Sequence, residues 1–144
     1  IIDSYLWLII MCYYFYRGYR KHEKINTILF NDFESLDVFG PIEVFGRLKE
    51  HFKINFFSQN GGIIKSSQNV PIVTETFTKL EYRNNILLIP GGKGTRELVK
   101  DNKYIDILKM FALDSLYILT VCTGSVLFSK TGMLDEKQAT SKCG

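Results

Sequence analysis

The sequence predicts an α/β fold, a doubly wound parallel sheet with helices on both faces. Short apolar runs of strand length alternate along the chain with segments whose apolar residues have helical spacing. One run, Ile86–Ile89, is apolar at every position, which is typical of a strand buried on both faces of a parallel sheet. Parallel neighbours need crossover connections, and intervening helices supply them.

The first predicted unit is a strand, a turn and a helix. Residues 25–30 are an apolar run, and the polar stretch 31–35 has the composition of a turn. Gly40 and Pro41 then open a helix, because proline is favoured in the first helical turn. The apolar residues that follow fit one helical face: Ile42, Val44, Phe45 and Leu48.

Several short strands are predicted after this helix. Residues 52–58 form a second apolar run, and the Asn-Gly-Gly stretch 60–62 predicts the turn that follows it. Residues 63–64 and 70–76 add further short strands before the buried strand Ile86–Ile89.

The last third of the chain predicts helices around one more strand. Residues 95–113 carry apolar side chains at helical spacing, with a break near 101–102. Residues 117–121 are an apolar run of strand length, and 124–132 form the helix that completes the alternation.

Composition limits the class of protein. The 144 residues suffice for one domain, and 46% hydrophobic with 23% charged residues is a globular balance. A net charge of +3 is too mild to predict a nucleic-acid partner. The three cysteines, Cys12, Cys122 and Cys143, lack a close-spaced pair, which argues against a disulfide framework and a zinc site. We therefore expect a reducing, cytoplasmic compartment, no metal and no cofactor.

The N-terminal segment, residues 1–24, is predicted to lie outside the domain formed by residues 25–144; the alternatives are the tail of a truncated membrane anchor and an interfacial patch. Residues 5–16 are rich in aromatic and aliphatic side chains and are followed by a basic cluster. A membrane helix needs about 20 apolar residues, so this run is too short to span a bilayer. We expect that deleting residues 1–24 leaves a folded protein.

Cys122 is the first candidate for a functional residue. It follows the apolar run 117–121 and precedes Thr123, Gly124 and Ser125, small residues that open a helix. This is the outline of a nucleophile elbow, in which a sharp turn lifts the side chain clear and the helix N-terminus favours the thiolate. The plainer interpretation is a small buried residue, since free cysteine is often buried. The flanking pattern favours the elbow.

Three loops are predicted to gather at the carboxyl ends of the strands, where ligands bind in such sheets. Residues 31–40 form the first loop and offer a carboxylate, Asp37 or Glu34. Residues 122–125 form the third loop and offer the thiol of Cys122. The loop after Ile89 contains Gly91 and Gly92, whose N–H groups, with that of Thr123, predict an oxyanion hole. The plainer interpretations are a tight Gly-Gly turn and an aspartate that stabilises a helix N-terminus.

Three segments carry a resemblance to the ThiJ/PfpI superfamily, whose members are class I glutamine amidotransferase-like proteins. They are residues 33–45, 88–92 and 121–125, in that order. Within the superfamily, the Leu-Asp-x-x-Gly-Pro-x-Glu-Val-Phe segment 36–45 and the Cys-Thr-Gly elbow 122–124 resemble most the isonitrile hydratase-like branch. The resemblance covers residues 25–141 and implies a flavodoxin-like sheet.

The resemblance also implies an activity and roles for its matching residues. It implies a cysteine-dependent lyase that hydrates an isonitrile to an N-substituted formamide, acting on a small molecule as a homodimer. Cys122 would be the nucleophile, Asp37 the carboxylate facing it, and Thr123 an active-site hydroxyl and N–H donor. Gly92 would supply the other oxyanion N–H, beside Gly91.

Two departures and two alternatives accompany this resemblance. Lys142 stands where family members have a histidine, and family domains continue with further strands after the position of Gly144, so the predicted fold is incomplete at its C-terminus. One alternative function is the ligand-sensing half of a transcription regulator. The other is a redox or glyoxal-detoxifying role, which ranks lowest because Glu34 precedes the position where that branch has its glutamate.

Overall fold

The computed structural model describes residues 23–81, 83 and 85–135. In this part of the chain, six strands form one sheet in the order β3-β4-β2-β1-β5-β6. Their bounds are β1 Glu23–Ile28, β2 Phe52–Ser58, β3 Asn60–Lys65, β4 Pro71–Thr76, β5 Ile86–Ile89 and β6 Tyr117–Thr120. The helices are α1 Ser35–Gly46, α2 Thr95–Leu98, α3 Asn102–Leu113 and α4 Gly124–Ser129, with a 3-10 turn at Phe77–Lys79.

The sheet is mostly parallel, as predicted. Strand β1 pairs in parallel with β2 on one side and with β5 on the other, and β6 continues in parallel beyond β5. On the far side of β2, β4 is also parallel, while β3 pairs antiparallel with β4 as a hairpin. The predicted turn at 60–62 is wrong. These residues begin strand β3, because they pair with β4: Asn60 lies opposite Thr76 and Gly62 opposite Thr74.

The first helix begins earlier than predicted. Helix α1 starts at Ser35, so Pro41 lies inside it rather than opening it, and Asp37 lies in its first turn. The early start has a tertiary cause: the N–H of Ser35 donates to Oε1 of Gln68, at 3.1 Å, a residue from the loop between β3 and β4. A distant side chain therefore supplies the cap that the local sequence lacks.

The other helices follow the prediction more closely. The break near residues 101–102 is confirmed, because Asp101 caps α3 by accepting the N–H of Tyr104 at 3.1 Å. Helix α4 ends at Ser129, short of the predicted end at Gly132. Gly132 has a φ of 75°, a left-handed conformation that ends a helix.

Two hydrophobic cores lie on opposite faces of the sheet, which confirms helices on both faces. Leu87 and Ile89 of β5 belong to the core that contains side chains of α3 and α4. Ile86 and Leu88 belong to the other core, with Phe45 of α1. Alternate residues of a strand point to opposite faces, so β5 is buried on both, as its unbroken apolar run predicted.

Some predictions concern residues outside the described part. Cys12, Cys143, Lys142 and the segment 1–22 are among them, so the division into 1–24 and 25–144 stays a prediction. Among the described residues, no helix combines the length and hydropathy needed to cross a membrane. The same residues contain no group of three or more histidine, cysteine, aspartate or glutamate side chains placed to hold a metal ion.

Candidate functional site

The three predicted loops meet at the carboxyl end of the sheet, around the point where strand order reverses between β1 and β5. The N–H of Glu34 donates to the carbonyl of Gly91 at 2.9 Å, which ties the loop after β1 to the loop after β5. The N–H of Val121 donates to the carbonyl of Ile89 at 3.0 Å, which brings the third loop alongside. Backbone contacts thus assemble the site.

Cys122 occupies a sharp turn between β6 and α4. Its φ is 51°, in the left-handed region that a residue with a side chain rarely adopts, and its side chain is exposed. The carbonyl of Cys122 accepts two hydrogen bonds from Ser125, one from its N–H at 3.3 Å and one from its hydroxyl at 2.9 Å. These contacts hold the turn in the strained conformation expected of a nucleophile elbow.

Asp37 is half-buried and hydrogen-bonded to the loop after β5. Its Oδ2 accepts the N–H of Gly91 at 3.0 Å. Burial raises the pKa of the Asp37 carboxyl, the hydrogen bond from Gly91 opposes that rise, and the negative charge of Glu34 adds to it. The net effect is a carboxyl that keeps its proton to higher pH than an exposed aspartate.

Gly91 lies between Asp37 and the elbow. A Cβ at this position would come within 2.8 Å of Asp37 Oδ2 and 2.7 Å of the Thr123 nitrogen, so only glycine lets these groups approach so closely. Gly92 has a φ of 134°, and its Cβ would lie 2.3 Å from the carbonyl oxygen of Asp32. Both positions therefore require glycine because the neighbouring atoms leave no room for a Cβ, and not only because the chain turns here.

Two of the three predicted oxyanion donors already have acceptors. The N–H of Gly91 bonds to Asp37, and the N–H of Gly92 donates to Thr123 Oγ1 at 3.0 Å. A substrate oxygen that used the Gly92 amide would have to replace the Thr123 hydroxyl. The oxyanion role of Gly91, Gly92 and the Thr123 amide stays a prediction.

Glu34, the other candidate carboxylate, has a different environment. Its Oε1 accepts a hydrogen bond of 2.6 Å from Nε2 of Gln68, and Oε1 of the same Gln68 accepts the N–H of Ser35. The amide of Gln68 thus joins Glu34 to the start of α1. Of the two carboxylates, Asp37 is the one that bonds to the Gly-Gly loop.

Thr95 is a site residue that sequence reasoning did not find. It is buried, and its Oγ1 lies 2.8 Å from the carbonyl oxygen of Gly92 and 3.2 Å from Thr123 Oγ1. Its place at the end of a Gly-Gly-Lys-Gly loop was the available signal, but nothing in a single sequence shows that this hydroxyl turns inward.

Comparison with known proteins identifies the family of this chain. The sequence profile of the DJ-1/PfpI family matches residues 23–144. The chain belongs to this family. The match contains every site residue discussed above, and it agrees with the ThiJ/PfpI resemblance that the three segments predicted.

Individual relatives of the DJ-1/PfpI chain are distant. Isonitrile hydratase of Pseudomonas putida is 28% identical over 119 residues, which are 82% of this chain and 51% of the hydratase. General stress protein 18 of Bacillus subtilis is 25% identical over 121 residues, 82% of this chain and 70% of that protein. The chain thus spans about half the length of the hydratase.

A solved structure confirms the flavodoxin-like α/β fold. The ThiJ/PfpI family protein from Pseudomonas syringae superposes with a TM-score of 0.72 at 26% identity. The superposition covers 78% of this chain and 47% of that one.

Proposed function

We propose that this chain carries the catalytic cysteine of an enzyme that hydrates an isonitrile to an N-substituted formamide. The observation that supports this most is the placement of a half-buried Asp37 and of Thr123 around one glycine, Gly91, beside the strained elbow of Cys122. The distant similarity to the hydratase of Pseudomonas putida points to the same substrate class.

The first step uses Cys122 and Asp37. The thiolate attacks the terminal isonitrile carbon and forms the carbon–sulfur bond, while the electron pair that develops on that carbon takes the proton of the Asp37 carboxyl. The product is a thioimidate, with a carbon–nitrogen double bond, and an ionised Asp37. The raised pKa of Asp37 suits an acid that must start the cycle protonated.

The second step uses water. Its oxygen adds to the thioimidate carbon, one of its protons goes to the nitrogen, and the other returns to Asp37. The carbon–sulfur bond then breaks, which releases the formamide and restores the Cys122 thiolate. The net change is the addition of one water to one isonitrile, with no oxidant or reductant.

The test is turnover of a simple alkyl isonitrile by the full chain, with formamide followed by NMR. We expect Cys122→Ala to lose turnover by at least about a thousandfold, because no other group replaces the nucleophile. Ser129→Ala, an exposed residue of α4, is the control and should match the wild type. Absence of formamide with the wild type, or full turnover by Cys122→Ala, would contradict the proposal.

A second candidate function is ligand sensing without turnover, as in a regulator. The observation in its favour is that the Gly91 and Gly92 amides already bond to side chains, so these two donors are satisfied without a substrate. Calorimetry separates the two functions: binding of an isonitrile to the wild type without formamide would favour the sensor.

The setting of the site is also part of the proposal. We infer a small-molecule substrate, a homodimer and a cytoplasmic location from the resemblance and from the free thiol of Cys122. Sedimentation equilibrium of the full chain tests the dimer, and a monomer at all concentrations would contradict it.

A further inference from the structure

Two threonine hydroxyls share the backbone of Gly92. The N–H of Gly92 donates to Thr123 Oγ1 at 3.0 Å, and Thr95 Oγ1 lies 2.8 Å from the carbonyl oxygen of the same residue. The hydroxyl oxygens are 3.2 Å apart, and Thr123 Oγ1 is 3.4 Å from that carbonyl oxygen. Thr95 is 4% exposed, so its side chain is shielded from water.

Counting protons gives the pair two arrangements, because each hydroxyl has one proton and two lone pairs. In the first, Thr95 donates to the Gly92 carbonyl, its shorter contact. This oxygen then accepts both the hydroxyl and, at 3.2 Å, the N–H of Thr95, and the Thr123 proton is left for a substrate. In the second, Thr95 donates to Thr123, whose oxygen now accepts from both Thr95 and Gly92. The Gly92 carbonyl has then lost the Thr95 hydroxyl and accepts the Thr123 proton at 3.4 Å, which turns that proton away from a substrate.

We propose that Thr95 is a positioning residue that sets the direction of the Thr123 O–H bond. While the Thr95 hydroxyl donates to the Gly92 carbonyl, the Thr123 proton is presented to the site; rotation of the Thr95 hydroxyl to Thr123 withdraws it. Without the Thr95 hydroxyl, the Gly92 carbonyl keeps only the N–H of residue 95 as donor and becomes an acceptor for Thr123, which turns that proton away from the substrate. This inference deepens the proposed function and rests on it.

The first experiment compares variants at position 95 in the hydration assay on the full chain. We expect Thr95→Val to lower kcat about tenfold with KM changed less than about twofold, since the hydroxyl acts on the reacting site through Thr123. Thr95→Ser keeps the hydroxyl and should restore kcat to within about twofold of the wild type. The control is Thr131→Val, which removes another buried hydroxyl, bonded to the Phe128 carbonyl at 2.7 Å.

A second experiment does not depend on turnover. The unfolding free energies of Thr95→Val, Thr123→Val and the double variant form a thermodynamic cycle, in which coupled hydroxyls give a non-additive result. The same cycle with Thr131→Val in place of Thr95→Val should be additive.

The outcomes separate the two proposals. Wild-type kcat in Thr95→Val, failure of Thr95→Ser to restore it, or an additive cycle for Thr95 and Thr123 would overturn the positioning role. A wild type that makes no formamide, with the cycle still non-additive, would count against isonitrile hydration and support the coupling of Thr95 to Thr123.

Discussion

Side chains contribute differently to strand β5 and to the loop that follows it. The four residues Ile86–Ile89 are each 0% exposed, and their side chains pack into two cores. In the loop, Gly91 and Gly92 have no side chains to pack and are held by hydrogen bonds to Asp37 and Thr123. A smaller side chain in the core lowers the free energy of unfolding in proportion to the volume removed. The loop instead depends on individual hydrogen bonds, each made by one atom of Asp37 or Thr123. Stability and function should therefore respond differently to mutation within a few residues.

The largest expected effect on stability lies in the strand. Leu87→Ala should lower the unfolding free energy by about 2–5 kcal/mol, because it leaves a cavity in a fully buried core. Leu36→Ala, the same change at a residue 57% exposed on α1, should cost less than about 0.5 kcal/mol. Denaturant titration measures both, and equal costs would remove the contrast between packed and exposed leucines.

A smaller loss of stability, with a larger loss of function, is expected in the loop. Gly91→Ala places a Cβ 2.7 Å from the Thr123 nitrogen, so the elbow or Asp37 must move. We expect a cost of about 1–3 kcal/mol and a fall in turnover of at least about tenfold.

The matched control is Gly46→Ala, at the end of α1. There the nearest atom to a new Cβ is 3.9 Å away, and alanine is the better helix former, so stability should stay equal or rise slightly. If Gly91→Ala were as harmless as Gly46→Ala, the close packing of the site would not matter for turnover.

The smallest expected change in unfolding free energy is an increase, in the variant Asp37→Asn. Asp37→Asn keeps an acceptor for the Gly91 N–H but cannot ionise. The pKa of Asp37 is raised in the folded state, so the wild type loses stability as pH rises through that value. At pH values below 3.8, the usual pKa, both proteins carry a neutral group and should be equally stable; near pH 7 the variant should be more stable.

The turnover of Asp37→Asn should fall, although its stability rises. Asp37→Asn has no proton to give and should be nearly inactive, and wild-type turnover should fall as pH rises through the raised pKa. Unfolding curves and rates from pH 3 to 8 check both statements. Asp106→Asn, an exposed residue of α3, should leave both profiles unchanged, and a stability gain for Asp37→Asn that does not grow with pH would contradict the role of burial.

The same contrast explains how much the sequence could predict. The buried strand Ile86–Ile89, the break before α3 and the elbow at Cys122 were predictable, because each depends on neighbouring residues. The start of α1 was missed because its cap, Gln68, is 33 positions away from Ser35. Asp37 was found through its motif, but its contact with Gly91 needs the fold. The inward hydroxyl of Thr95 is likewise a product of three loops meeting.

The contact between Gln68 and Ser35 also bears on the order of folding. The first turn of α1, which carries Asp37, is completed by a residue that leaves the ribosome only after β2 and β3. Contacts so distant in sequence close slowly, because the intervening chain must first be ordered. Asp37 is therefore expected to reach its final position late, after the sheet has formed. The candidate site would then be among the last parts of the chain to form.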